Sequence, residues 1–90
     1  MAKPKNGEPI HPLRRLRDKQ GISQGKFGLL IGSTGQVINQ IEGGYAPMSS
    51  KIFYTVTDMF SLDPIELEKQ IKQFQINYRD YLIAGMTNKV

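Results

Sequence analysis

Residues 23–42, SQGKFGLLIGSTGQVINQIE, read as two short helices folded around a Gly-Ser-Thr corner. Ser23 is a good N-cap for the first, because its hydroxyl can accept from a backbone N–H that the helix leaves unsatisfied. Phe27, Leu30 and Ile31 follow at helical spacing. Gly32 stops that helix, where a residue with positive φ is needed. Thr34 then caps a second helix whose apolar stripe is Ile38 and Ile41. That second helix exposes Gln36, Val37, Asn39 and Gln40. An Asn or Gln amide donates and accepts at once, which matches N6 and N7 of adenine, and an exposed valine suits a thymine methyl. The face is suited to base edges of double-stranded DNA.

Outward from this stretch the chain reads as helices throughout. Pro12 suits a first helical position and opens a helix through about residue 20, which Gly21 ends. Leu13 and Leu16 face its core side, and Ile22 packs as the chain turns. The pair already described occupies about residues 24–31 and 35–42, closed by Gly43 and Gly44. After a loop over residues 45–48, Ser49 caps a fourth helix over about 50–60. Asp63, Pro64 and Glu66 supply a cap, a proline at the first position and an acid at the third for a fifth helix. That helix extends over about residues 64–84, with Gly85 as its stop. Leu67, Ile71, Phe74, Tyr78 and Tyr81 are spaced four, three, four and three, a heptad seam. The expected fold class is all-α, a compact five-helix domain with an extended C-terminal helix.

Ninety residues allow one small domain with one core, and 39% apolar content is ordinary for a globular chain. No apolar run is long enough for a membrane span, and the N-terminal residues lack the apolar core of a signal peptide, so a cytoplasmic location is expected. The absence of cysteine excludes disulfides and thiolate metal sites, and His11 is the one histidine. Without a phosphate-binding Gly loop carrying lysine, or a cluster of His and carboxylates, neither catalytic residues nor a metal or other cofactor are expected. The net charge is +4, and Lys3, Lys5, Arg14, Arg15, Arg17, Lys19 and Lys26 all fall in the first 26 residues. Residues 58–68 carry four acids and no base. A basic front and an acidic rear suit an anionic partner on one side only.

The order of these features resembles the helix-turn-helix of the phage repressor/Cro superfamily, also called XRE-type or lambda-repressor-like. Gln24, Gly32, Ile38 and Ile41 carry the resemblance, together with LRRLRDKQGIS upstream and Glu42, Gly44 and Pro47 downstream. It covers roughly residues 12–68. Residues 1–11 are then a flexible basic arm, alternatively a solvated tail, and residues 69–90 an extension of the fifth helix and a short tail. The resemblance implies a recognition helix at about 35–42 with base contacts from Gln36, Asn39 and Gln40, and Val37 nearby. Gly35 departs from the polar side chain frequent in the family and can bring backbone close to a phosphate. The resemblance further implies a structural pair between Arg17 and Glu42, and a small residue at Gly28 where two helices cross. Gly25 has no evident reason.

Gln24 and Lys26 open a helix, where N–H groups and positive charge favour a phosphate. Ser33, Thr34, Tyr45 and Ser49 are further candidate backbone contacts, with capping as the alternative role of Thr34 and Ser49. Leu29 and Leu30 are either core under the fifth helix or an exposed patch for a partner. Phe74, Tyr78, Tyr81 and Leu82 extend beyond what a domain of this size covers and are expected to form a homodimer interface. The expected function is a sequence-specific transcriptional regulator, a repressor acting as a dimer on a palindromic operator and nucleoid-associated when bound. The alternative is a protein-interaction module, an antitoxin or adaptor, that holds a regulatory protein partner.

Overall fold

Five helices account for the regular structure of residues 7–87, the part of the chain that the computed structural model describes. They are α1 (Pro12–Gln20), α2 (Gln24–Leu30), α3 (Gly35–Glu42), α4 (Ser50–Met59) and α5 (Pro64–Thr87), with no strand among the described residues. The all-α five-helix expectation is met.

Local chemistry sets most of the boundaries. The Ser23, Thr34 and Ser49 hydroxyls each accept from the backbone N–H three residues on, at 3.2 Å in every case. The Asp63 carboxylate accepts from Ile65 N, two residues on, at 2.9 Å. Such a cap contributes about 1 kcal/mol by satisfying one of the donors that a helix start leaves open. Gly21 and Gly32 lie at φ 70° and 73°, left-handed positions that favour glycine, and each follows a helix end. One expected stop is overturned: α5 runs through Gly85 to Thr87. A lone glycine costs a helix about 1 kcal/mol, too little to end one that is otherwise continuous.

The core forms where α1 to α4 converge. Leu13, Phe27, Ile31, Ile38, Ile41, Ile52 and Val56 make one buried cluster, and Leu16, Ile22, Met48, Phe60 and Leu62 pack around it. Full burial of a large aliphatic or aromatic side chain contributes roughly 1.5–3 kcal/mol, so this cluster is the main source of stability. Phe27 stacks on Phe60, 5.9 Å between ring centroids, which ties α2 to the end of α4.

The fifth helix lies against α1 and α4 for part of its length. Its heptad seam faces the protein itself. Leu67 and Phe74 are buried and Ile71, Tyr78 and Tyr81 half-buried. This corrects the assignment of Phe74 to a dimer interface, since its side chain is buried within the chain. Phe74 meets the His11 ring edge-on at 4.8 Å and stacks on Tyr78 at 5.5 Å, and Tyr78 stacks on Tyr81 at 6.2 Å. Leu82, from the same predicted interface, is exposed.

The start of the chain also departs from expectation. Residues 1–6, with the arm lysines Lys3 and Lys5, lie outside the described residues. Glu8, Pro9 and Ile10 are half-buried and His11 is buried, so this end of the predicted flexible arm is packed down. His11 is the N-cap of α1, its Nδ1 accepting from Leu13 N at 3.0 Å.

Candidate nucleic-acid interface

Two glycines set how closely α2 and α3 approach. A Cβ added at Gly28 would lie 2.3 Å from the Thr34 carbonyl carbon and 2.7 Å from Gly35 N. A Cβ added at Gly35 would lie 2.9 Å from Gly25 Cα. Backbone therefore meets backbone at both places, and the corner is tighter than alanine at either site permits. The first turn of α2 thus fills the space that a side chain at position 35 would need, which is a packing reason for glycine there. It also gives Gly25 a neighbour, although a Cβ on Gly25 itself would meet only Ser23 Oγ, at 4.0 Å.

The far end of α3 is held by charge. Arg17 reaches Glu42 with two parallel hydrogen bonds, Nε to Oε2 at 2.8 Å and Nη2 to Oε1 at 3.0 Å. The two side chains are only 5% and 4% exposed, so the pair is desolvated. Arg17 Nη1 also donates to the Ile22 carbonyl at 3.0 Å, which fastens the turn between α1 and α2. Hydrogen bonding to Glu42 raises the Arg17 pKa above its ordinary value, against an opposing desolvation. Gln24, expected on a phosphate, donates its amide to Glu42 Oε1 at 3.1 Å. The amide nitrogen carries a second N–H, so one donor serves the scaffold and a phosphate contact stays open to the other.

Between these two anchors α3 turns Gln36, Val37, Asn39 and Gln40 outward, all exposed. At about 100° per residue Gln36, Asn39 and Gln40 share the side opposite Ile38 and Ile41, which are buried, and Val37 stands on its flank. Lys26 is exposed on the first turn of α2, and Arg15 and Lys19 are exposed on α1. Among the other candidate backbone contacts, Thr34 and Ser49 act as caps with exposed residues, and Ser33 is half-buried in the turn. Tyr45 is 78% exposed just past the end of α3. Its ring lies across Gly43, where an added Cβ would come within 2.7 Å.

An open groove of about 430 Å³ runs beside the clamp, lined by residues including His11, Arg14, Arg17, Gln24, Glu42 and Tyr78. His11 is the residue here whose role the sequence did not announce. Burial pushes its pKa down to about 4, against a weaker upward pull from the Glu42 carboxylate. Burial likewise raises the Tyr78 pKa, with Tyr45, Glu8 and Tyr81 adding to the effect. Tyr78 also borders the loop, its ring 2.8 Å from where a Cβ on Gly44 would stand. The end of α3 is thus held by Arg17 and Gln24 at Glu42 and bordered by an aromatic ring of α5 at Gly44.

Leu29 and Leu30, which could have been core under α5, are 80% and 51% exposed. Position on α2 explains this, since Phe27 and Ile31 take the inward side of the short helix. No group of His, Cys, Asp and Glu able to hold a metal ion occurs among the described residues, and none of their helices is long and apolar enough to cross a membrane. Comparison with protein-family models, with curated proteins and with solved structures returned no match.

Proposed function

We propose that this protein is a sequence-specific DNA-binding transcriptional regulator of the phage repressor/Cro type, most simply a repressor, with α3 as its recognition helix. One observation carries the reading. A short helix is fixed at both ends, by backbone contact at Gly28 and Gly35 and by the Arg17–Glu42 clamp, while Gln36, Val37, Asn39 and Gln40 stand outward between the anchors. A rigid support under exposed amide groups is what reading base edges in a major groove requires. Lys26, Arg15 and Lys19 supply positive charge for phosphates, with Ser33, Thr34 and Tyr45 as hydrogen-bonding groups near the ends of α3. The regulator acts as a homodimer on a palindromic operator, in the cytoplasm, with the exposed end of α5 as the pairing element.

A binding selection on genomic fragments with the purified chain at near-physiological salt tests this. Enrichment of one inverted repeat is expected, and alanine at Gln36, Asn39 or Gln40 should then cost about 1–3 kcal/mol on that site with folding intact. Absence of enrichment from folded protein would end the reading. The exposure of Leu29 and Leu30 favours one second reading, an interaction module that holds a partner protein on α2. Glutamine at both positions would abolish partner capture in that case and leave operator binding unchanged in the first.

A further inference from the structure

The outward face of α3 carries amides and one small aliphatic group, and it carries no charge. Between Lys26 and Lys51 the only charged residue is Glu42, whose side chain is 4% exposed against Arg17. Gly35 at the helix start presents no side chain, and Thr34 is engaged as the cap. What stands outward is Gln36, Asn39 and Gln40, with Val37, 38% exposed, on their flank. Asn39 and Gln40 neighbour Gln36 on the helix surface, three and four residues on, and Val37 neighbours Gln40 in the same way. The exposed cations Arg15, Lys19, Lys26 and Lys51 belong to other helices.

Each base asks for a different complement in the major groove. Guanine offers two acceptors, O6 and N7, which arginine or lysine matches. Cytosine offers the N4 donor, which a carboxylate matches. Adenine sets an acceptor, N7, beside a donor, N6, and one Asn or Gln amide satisfies both; its thymine partner adds a methyl group. The face of α3 lacks both complements of a G·C pair and holds both complements of an A·T pair. An amide set on guanine would leave its own carbonyl oxygen facing another acceptor.

We infer that the base pairs under α3 are A·T pairs, their adenines held at N6 and N7 by Gln36, Asn39 and Gln40 and a thymine methyl covered by Val37. The inference rests on the DNA-reading function proposed above and names the class of sequence that such a face selects. Four residues separate Gln36 from Gln40, about 6 Å along the helix axis, so the amides meet neighbouring pairs. The selected site therefore contains a short uninterrupted A·T run. Because the face is neutral, the cations of the other helices supply affinity for any duplex and α3 supplies the preference.

Selection from a randomised duplex library with the full chain, followed by titration of substituted probes, tests this. Positions whose selection is lost in Gln36→Ala, Asn39→Ala or Gln40→Ala should be A·T. A G·C pair placed at one of them should weaken binding about 5- to 150-fold. Probes altered at single atoms separate edge reading from a preference for narrow or pliable A·T duplex. 7-Deazaadenine, which replaces N7 with C–H, should weaken binding about 2- to 10-fold at such a position. It should have no effect on the alanine variant of the amide that faces it. Uracil in place of the thymine beside Val37 should cost about fourfold, one buried methyl group, and less in Val37→Ala. All four side chains are exposed, so circular dichroism should show folded variants throughout. A selected site that depends on these amides but is G·C at those positions would overturn the inference and leave the DNA-reading function standing. So would an A·T site indifferent to 7-deazaadenine at every adenine, since duplex shape would then carry the preference. A folded chain that selects no sequence would remove both.

Discussion

Where α2 crosses α3, backbone touches backbone, and no side chain lies between that could adjust. Along α5 the contacts are ring faces, His11 on Phe74, Phe74 on Tyr78 and Tyr78 on Tyr81, while the opposite side remains exposed. The two regions hold their neighbours by different means. At the corner the distance is set by the absence of Cβ atoms, so even a methyl group must push something aside. On α5 the distance is set by long side chains with rotamer freedom, so small changes can be absorbed. The corner therefore fixes the geometry of α3, and α5 can take on contacts without disturbing it.

The largest test of that contrast is the clamp that completes the corner. Arg17→Ala should lower unfolding stability by about 3–5 kcal/mol, because it leaves the Glu42 carboxylate buried without its counter-charge. Urea denaturation would measure it, and a loss below about 1 kcal/mol would show the pair to be dispensable.

Next comes acid. The folded protein keeps His11 neutral down to a pKa of about 4, whereas the unfolded chain takes up a proton near 6.5. Stability is thus complete above about pH 6.5 and falls as the pH drops through that window, by about 3 kcal/mol in all. His11→Asn retains an acceptor for Leu13 N and should flatten the slope between pH 4 and 6.5 in melting curves.

A pair of alanine substitutions sharpens the comparison within one helix. Gly28→Ala should cost about 1–3 kcal/mol, since its methyl group overlaps the Thr34 carbonyl. Gly25→Ala, three residues earlier, meets open space and should stabilise α2 by up to about 1 kcal/mol. Gly85→Ala on α5 has nothing within 4 Å and should behave like Gly25→Ala. Equal effects at Gly25 and Gly28 would refute the backbone-contact account.

The smallest expected effect is on the exposed side of α5. Ile76→Gln should change the stability of the isolated chain by no more than about 0.5 kcal/mol. A larger loss in thermal melts would mean that the protein itself uses that side of the helix.

What could be read from the sequence was local. Ser23, Thr34, Ser49 and Asp63 cap the helices they precede, because capping needs only the next two or three residues. The Arg17–Glu42 pair spans 25 residues and was visible through the resemblance alone. His11 shows the limit of such reading. Its burial depends on Phe74 arriving from the far end of the chain, which no pattern near His11 signals. The heptad on α5 signals that a face is covered but cannot tell self from partner, and at Phe74 the protein itself supplies the cover. At Gly35 the sequence shows a glycine but not its packing reason, the first turn of α2 standing where a side chain would go. Leu29 and Leu30 are apolar by composition and exposed by position, a combination that periodicity over so short a helix cannot resolve.

The outward side of α3 bears no structural duty. Gln36, Val37, Asn39 and Gln40 are exposed, and the helix beneath them is secured by Gly28, Gly35 and Glu42. These four positions can change identity at almost no cost in foldedness, whereas the glycines and the clamp cannot. Under the proposed DNA-reading role, mutation could therefore rewrite what this face recognises without first passing through an unstable protein.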